Sequence, residues 1–231
     1  MHAQQVAIGQ TDPSAFGFQS WTGLSDSYQQ IKVLGGQETV FYEGDESAHV
    51  YEVLEGVVCC YRLLSDGRRQ VLAFSFPGDL IGLVQSETHG FNAEALKAAR
   101  IRRIPRNTLL QTAMERPEIG RKLLEFATSE LAVMQDRFVM LGRKSALEKV
   151  ASFLLAMARS HLEKQCEPIS FDLPMKRVDI ADYLGLTFET VSRAFTKLRR
   201  MQAIELPQTQ KVVLLDVALL KDLAENESGW N

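Results

Sequence analysis

The chain has 231 residues, 45% hydrophobic and 24% charged, with a net charge of −3, a balance that suits one or two globular domains with a substantial core. No apolar run approaches the roughly 20 residues that span a bilayer, and the polar start Met1–Gln10 lacks the features of a signal peptide, so a cytoplasmic protein without membrane attachment is expected. Three cysteines, Cys59, Cys60 and Cys166, are too few and too unevenly spaced for a disulfide framework or a zinc cage.

In chain order, residues 1–20 are polar and turn-rich and are expected to form a flexible tail. Residues 21–116 hold the second segment, where from Gln37 to Pro105 short β-rich runs alternate with turn signals at Gly44-Asp45, Glu55-Gly56, Asp66-Gly67, Pro77-Gly78-Asp79 and His89-Gly90. Signals about ten residues apart indicate an antiparallel barrel or double-sheet roll. The clearest strands are Tyr51–Leu54, Val57–Leu64 and Gln70–Phe76, with a hairpin turn at Ser65-Asp66-Gly67. Cys59 and Cys60 are adjacent on one strand, so their side chains point to opposite faces, one expected in the core and one near the surface.

Near Pro117 the apolar period changes to three and four, through Ile119, Leu123, Phe126, Ala127, Leu131, Met134, Phe138 and Leu141, which predicts a helix over residues 117–142. Such a stripe packs either on its own domain or as a two-stranded seam with a second copy of the chain. The expected seam residues are Leu123, Ala127, Leu131, Met134, Phe138 and Leu141, some of which must also cover the roll. A further helix over Ala146–Leu162 opens a C-terminal segment, residues 143–231, and Cys166 falls in a polar connection after it.

Within that segment Ala181, Gly185 and Val191 have the offsets of a helix-turn-helix: a small residue for close approach, a left-handed turn position and a core filler. Thr187 is placed to cap the second helix, on which Glu189, Ser192 and Arg193 share a face while Val191, Phe195 and Leu198 share another. Arginine can donate twice to guanine and glutamate can accept from cytosine N4, so Glu189 and Arg193 suit a G·C pair; the alternative is a surface ion pair one helical turn apart. Between Lys176 and Arg200 six basic residues face three acidic ones. Lys176, Arg177, Thr187, Thr190, Lys197, Arg199 and Arg200 are accordingly expected at phosphates of double-stranded DNA. Ala203–Leu206 and Lys211–Leu215 flank a turn and form a hairpin wing, after which Asp216 caps a final helix, Val217–Ala224.

The run Leu141–Ala151, followed by Asp182–Thr187 and Glu189-Thr190-Val191-Ser192-Arg193, resembles the Crp–Fnr superfamily, most closely its Fnr and FixK branch. The resemblance covers roughly Gln37 to Leu215 and implies an α+β chain: a cyclic-nucleotide-binding-like β-roll, a long dimerisation helix and a winged helix-turn-helix. It further implies a homodimer on an inverted repeat of TTGAT type that contacts RNA polymerase and activates genes for low-oxygen or nitrogen-oxide metabolism. Phe188 then joins Glu189, Ser192 and Arg193 as a base-reading residue, able to pack on thymine methyls where the cyclic-AMP receptor has an arginine.

Two departures from the family's patterns bear on the roll. No cysteine precedes Cys59, so the ligands of Fnr's iron–sulfur cluster are missing. Where cyclic-nucleotide binders carry Gly-Glu and Arg-Ser pairs, this chain has Gly82-Leu83-Val84-Gln85 and Asn92-Ala93-Glu94, and Glu94 would repel a phosphate. Some FixK relatives have a regulatory cysteine where Lys176 stands here, and His49, His89 and His161 are too dispersed to suggest haem ligation. The chain is thus expected to need no cofactor or metal, with a small molecule or haem in the roll as the alternative. No nucleophile–base pair, phosphate-cradling loop or metal-ligand cluster suggests an enzyme.

Overall fold

The computed structural model describes residues 30–83, 86–163 and 168–225. They fall into two compact units, with the division between Glu130 and Leu131. The expected flexible tail lies outside the described residues, as does Cys166.

The N-terminal unit is a roll of two four-stranded antiparallel sheets. The first sheet runs β1 (Gln30–Leu34), β8 (Ala99–Pro105), β3 (His49–Glu55) and β6 (Leu80–Ile81); the second runs β2 (Thr39–Phe41), β7 (Asn92–Ala95), β4 (Val58–Leu63) and β5 (Arg69–Ser75). Alternation along each strand sends Leu34, Val53 and Ile101 from one sheet and Phe41, Val58 and Cys60 from the other into a shared core. The 55–56 turn requires glycine, because Gly56 has φ +82° and a Cβ there would stand 2.6 Å from the Ala98 carbonyl oxygen. The β4–β5 hairpin closes through Gly67, whose N–H donates to the Leu64 carbonyl at 2.9 Å.

Helix α1 (Arg106–Glu115) follows β8 directly, a helix that the sequence reading passed over. With the start of α2 (Pro117–Arg143) it covers the outer face of the first sheet, where Val50, Leu80, Ile104, Leu109 and Phe126 form a second core and Leu123 packs against it. A buried ion pair shares that face: Glu52 and Arg102 are direct cross-strand partners, and an Arg102 Nη1–H donates to Glu52 Oε2 at 2.7 Å.

The expected surface position for one of Cys59 and Cys60 is corrected, since both are buried. Their side chains do diverge, but β4 is covered on both faces. Cys60 joins the inter-sheet core beside Ser75, and burial pushes its thiol up to about 12. Cys59 lies beneath Arg69, whose guanidinium also stacks on the Tyr61 ring and pairs with Glu94 at 2.7 Å.

The C-terminal unit begins in α2 and continues through α3 (Ala146–Met157), α4 (Arg159–Glu163), β9 (Ile169–Asp172), α5 (Arg177–Leu184), α6 (Phe188–Arg200), β10 (Ile204–Gln208), β11 (Lys211–Leu214) and α7 (Val217–Glu225). Ser145 and Glu148 start α3 with a reciprocal capping box. The helix expected over Ala146–Leu162 is two helices that break at Ala158, where the carbonyls of Leu154 and Ala156 share one N–H. Strand β9, read from sequence as polar connection, pairs antiparallel with β11 and makes the wing a three-stranded sheet. Asp216 caps α7, its Oδ1 accepting from the Leu219 N–H at 2.8 Å.

Candidate nucleic-acid interface

The site is built on the α5–turn–α6 pair. Helix α5 ends because Gly185 adopts the left-handed conformation, φ +63° and ψ +41°, and its N–H caps the Ala181 carbonyl. Leu186 N–H bonds the same carbonyl at 3.0 Å, which turns the chain sharply into α6. Thr187 begins α6 with its hydroxyl accepting from the Thr190 N–H at 3.2 Å. Ala181 and Val191 are buried between the helices, with Ile180, Leu184, Ala194, Phe195 and Leu198 around them.

On the opposite side of α6, Phe188, Glu189 and Arg193 are exposed and Ser192 is half-buried. Glu189 and Arg193 are not ion-paired with each other, so the alternative of a surface salt bridge is not what the described residues show. Their donors and acceptors face solvent. Phe188 presents a half-exposed ring at the first turn, leaving apolar surface in contact with water.

Of the residues expected at phosphates, Lys176, Lys197, Arg199 and Arg200 are exposed around this face. Lys176 precedes α5, its backbone N–H donating to Asp179 Oδ2 at 2.8 Å. Arg177 is placed differently: its guanidinium lies 3.5 Å from the centre of the Phe195 ring, and burial lowers its pKa. That stack ties it to the core of the unit. Thr187 and Thr190 sit at the N-terminus of α6 with their hydroxyl oxygens 3.0 Å apart, beside backbone N–H groups that favour anions.

The apolar stripe of α2 separates into two sets. Leu123 is half-buried against the roll core, while Ala127, Leu131, Met134 and Phe138 are exposed and Leu141 is half-buried. Exposure reaches 56% at Leu131, 64% at Met134 and 83% at Phe138. Leu124, missed in the sequence reading, is 65% exposed and completes the series 124, 127, 131, 134, 138, 141. Alternating steps of three and four are the signature of a coiled-coil seam, and that phase would have selected Leu124 over Leu123.

In the roll, the interior is occupied by its own rings: Phe41 stacks on buried His89 at 3.7 Å and meets Tyr51 and Phe91, each at 5.5 Å. Glu94 is held by Arg69, so its charge is compensated and the expected repulsion of a phosphate is weaker than a bare carboxylate would give. The same pairing engages Arg69. Beside Glu94, then, the nearest cation is already committed to a carboxylate, which is a poor setting for the phosphate of a cyclic nucleotide. Among the described residues, no group of three or more His, Cys, Asp or Glu is placed to hold a metal ion.

Comparison with known proteins agrees with this architecture. Residues 148–223 match a Crp-like helix-turn-helix domain and residues 31–116 a cyclic nucleotide-binding domain. Together they define a transcription regulator with a DNA-binding helix-turn-helix behind a cyclic-nucleotide-binding-like roll. The nitrogen fixation regulation protein FixK of Bradyrhizobium diazoefficiens is 46% identical over 187 residues, covering 81% of this chain and 78% of that protein. The transcriptional activatory protein AadR of Rhodopseudomonas palustris is 41% identical over 74% of this chain and 71% of its own length. The solved structure of FixK2 from Bradyrhizobium japonicum superposes with a TM-score of 0.79 at 37% identity, covering 86% of this chain and 98% of that one. The chain belongs to the Crp–Fnr family of DNA-binding transcription activators and is a FixK-like member of it. Its relatives are regulators and not enzymes. No helix among the described residues is long and apolar enough to cross a membrane.

Proposed function

We propose that this chain acts in the cytoplasm as a homodimer that binds an inverted repeat of TTGAT type and activates transcription through RNA polymerase, at genes for low-oxygen or nitrogen-oxide metabolism. In this reading residues 21–116 are a sensor-like roll, 117–142 the dimerisation helix and 143–231 the DNA-binding domain. The observation that carries it is that Glu189 and Arg193 are exposed on one face of a capped helix, with no ion pair between them among the described residues. One G·C pair can satisfy both: Arg193 donates to guanine O6 and N7 while Glu189 accepts from cytosine N4. Phe188 and Ser192 read neighbouring bases. Lys176, Thr187, Thr190, Lys197, Arg199 and Arg200 fix register on the phosphates, and Arg177 contributes chiefly by holding Phe195.

The 3-4 stripe on α2 supports dimerisation, because a single helix-turn-helix reads few bases and two copies must stand about 34 Å apart to read one face of B-DNA. DNA binding in this reading requires neither cyclic AMP nor an iron–sulfur cluster. The test is light scattering with a gel shift on protein purified in air, using wild type and Met134→Asp. Wild type should be a dimer that prefers the repeat, and the aspartate should place an unpaired charge in the seam and favour the monomer. A wild-type monomer that binds one half-site as tightly as two would contradict the dimer. A tenfold or greater gain on adding a cyclic nucleotide or reconstituting a cluster, about 1.4 kcal/mol, would contradict the cofactor-free reading.

A further inference from the structure

We propose that Arg137 is a positioning residue for the reading helix: by gripping Tyr183 at the end of α5, it fixes the angle at which α6 is held relative to the C-terminal half of α2. This rests on the reading of α2 as the dimer seam and α6 as the base reader.

Arg137 reaches from α2 to α5 and makes two contacts with one residue. Its Nη2–H donates to the Tyr183 carbonyl oxygen at 3.3 Å, and its guanidinium carbon lies 4.4 Å from the centre of the Tyr183 ring. Tyr183 is the penultimate residue of α5, so its carbonyl is one of the last four, which have no partner within the helix. Such carbonyls carry the negative end of the helix dipole and favour a cation. Helix α5 has no basic residue in its own last turn; Arg137 supplies the charge from another helix.

The contact is braced on its far side. The buried Tyr183 ring packs on Phe153 of α3 with centroids 5.8 Å apart, so guanidinium, phenol and phenyl form a layer from α2 through α5 to α3. Two residues later comes Gly185, the pivot between α5 and α6, and one turn after Arg137 the Leu141 side chain lies 3.8 Å from where a Cβ on that glycine would stand. The end of α2 thus lies close to the turn that leads into α6. Arg137 is partly desolvated there, a cost that a merely solvent-facing arginine would avoid, which fits a contact made to a fixed partner.

A dimer that holds its two reading helices at a fixed angle should discriminate between inverted repeats of different spacing. Loosening that angle should remove spacing discrimination before it removes half-site recognition. The experiment titrates wild type, Arg137→Lys and Arg137→Ala against four duplexes: one TTGAT half-site, the inverted repeat at its preferred spacing, and repeats one base pair longer and shorter. Arg137→Ala should stay dimeric and hold single-half-site affinity within about twofold. Its affinity for the preferred repeat should fall about tenfold, flattening its preference over the altered spacings. Arg137→Lys keeps the charge but loses the planar stack, and should fall between the two. Should Arg137→Ala fail to fold, Arg137→Met retains the aliphatic packing and is read in the same assay. Spacing preference that survives unchanged in the alanine or methionine variant would overturn the proposal, as would an equal loss on all four duplexes. A wild type with no spacing preference would instead overturn the dimer reading on which the proposal rests.

Discussion

The two units of this protein use arginine and glutamate in opposite ways. In the roll, Arg102 is paired with buried Glu52, Arg69 with Glu94, Arg62 with Glu43 and Arg100 with Glu55. On α6, Glu189 and Arg193 sit one turn apart without pairing, and Lys197, Arg199 and Arg200 are exposed beside them. Charges satisfied within the fold contribute to its stability; charges left to solvent are available to a polyanion and its base edges. Removing the buried Arg102 should therefore destabilise the fold, whereas removing an arginine from α6 should leave the fold intact and impair recognition.

The largest expected effect is on the roll side. Arg102→Met would remove the cross-strand cation that pairs with buried Glu52 and should cost about 3 kcal/mol in urea unfolding, with little change in DNA affinity for the protein that remains folded. Arg193→Ala should do the reverse. Its unfolding midpoint should match wild type, while its affinity for the cognate site falls by about 1–3 kcal/mol and that for random DNA stays nearly constant. A loss of stability comparable to that of Arg102→Met would mean that Arg193 belongs to the fold.

Between these lies Gly185→Ala, where the added methyl has room but the left-handed backbone does not suit it. It should destabilise the protein by about 1–2 kcal/mol. Lys197→Ala should weaken binding to specific and random duplexes alike and reduce the slope of log affinity against log salt by about 1, without altering thermal stability. The smallest effect concerns Cys60, whose thiol is pushed up to about 12 by burial. The folded state keeps a proton that the unfolded chain releases near pH 9, so this stability is intact below that pH and is lost as pH rises toward about 12. At pH 8 a thiol reagent should label Cys60 only after unfolding, as mass spectrometry of intact and denatured protein would show.

The same contrast explains what could be read from the sequence. The helix-turn-helix is a local device: Ala181, Gly185 and Val191 lie within eleven consecutive residues, each required by sterics at its own position, and the structure puts each where its chemistry demands. The roll depends on pairing between distant strands. Adjacent Cys59 and Cys60 alternate faces as any strand does, but sequence could not show that the second face is roofed by Arg69, Tyr61 and Glu94 from three strands. Helix α1 was hidden because only Leu109 of its ten residues is buried, which leaves little apolar period to detect. Strand β9 was hidden because its four residues acquire their register only by pairing with β11. Helix α2 falls between these cases. Its length was legible, and the alternating 3-4 phase pointed to Leu124 in the seam, but that Leu123 instead packs on the roll core could be seen only once the roll was built.

The central claim, that α6 reads a G·C pair through Glu189 and Arg193, is tested most directly by changing protein and base together. Wild type and Arg193→Ala would be titrated by fluorescence anisotropy, at one salt concentration, against the TTGAT inverted repeat and against a repeat in which the G·C pair of each half-site is replaced by A·T. Wild type should lose about 1–3 kcal/mol per replaced pair, and Arg193→Ala should bind both duplexes with nearly the same affinity. An Arg193→Ala protein that still discriminates between the duplexes as strongly as wild type would contradict the account.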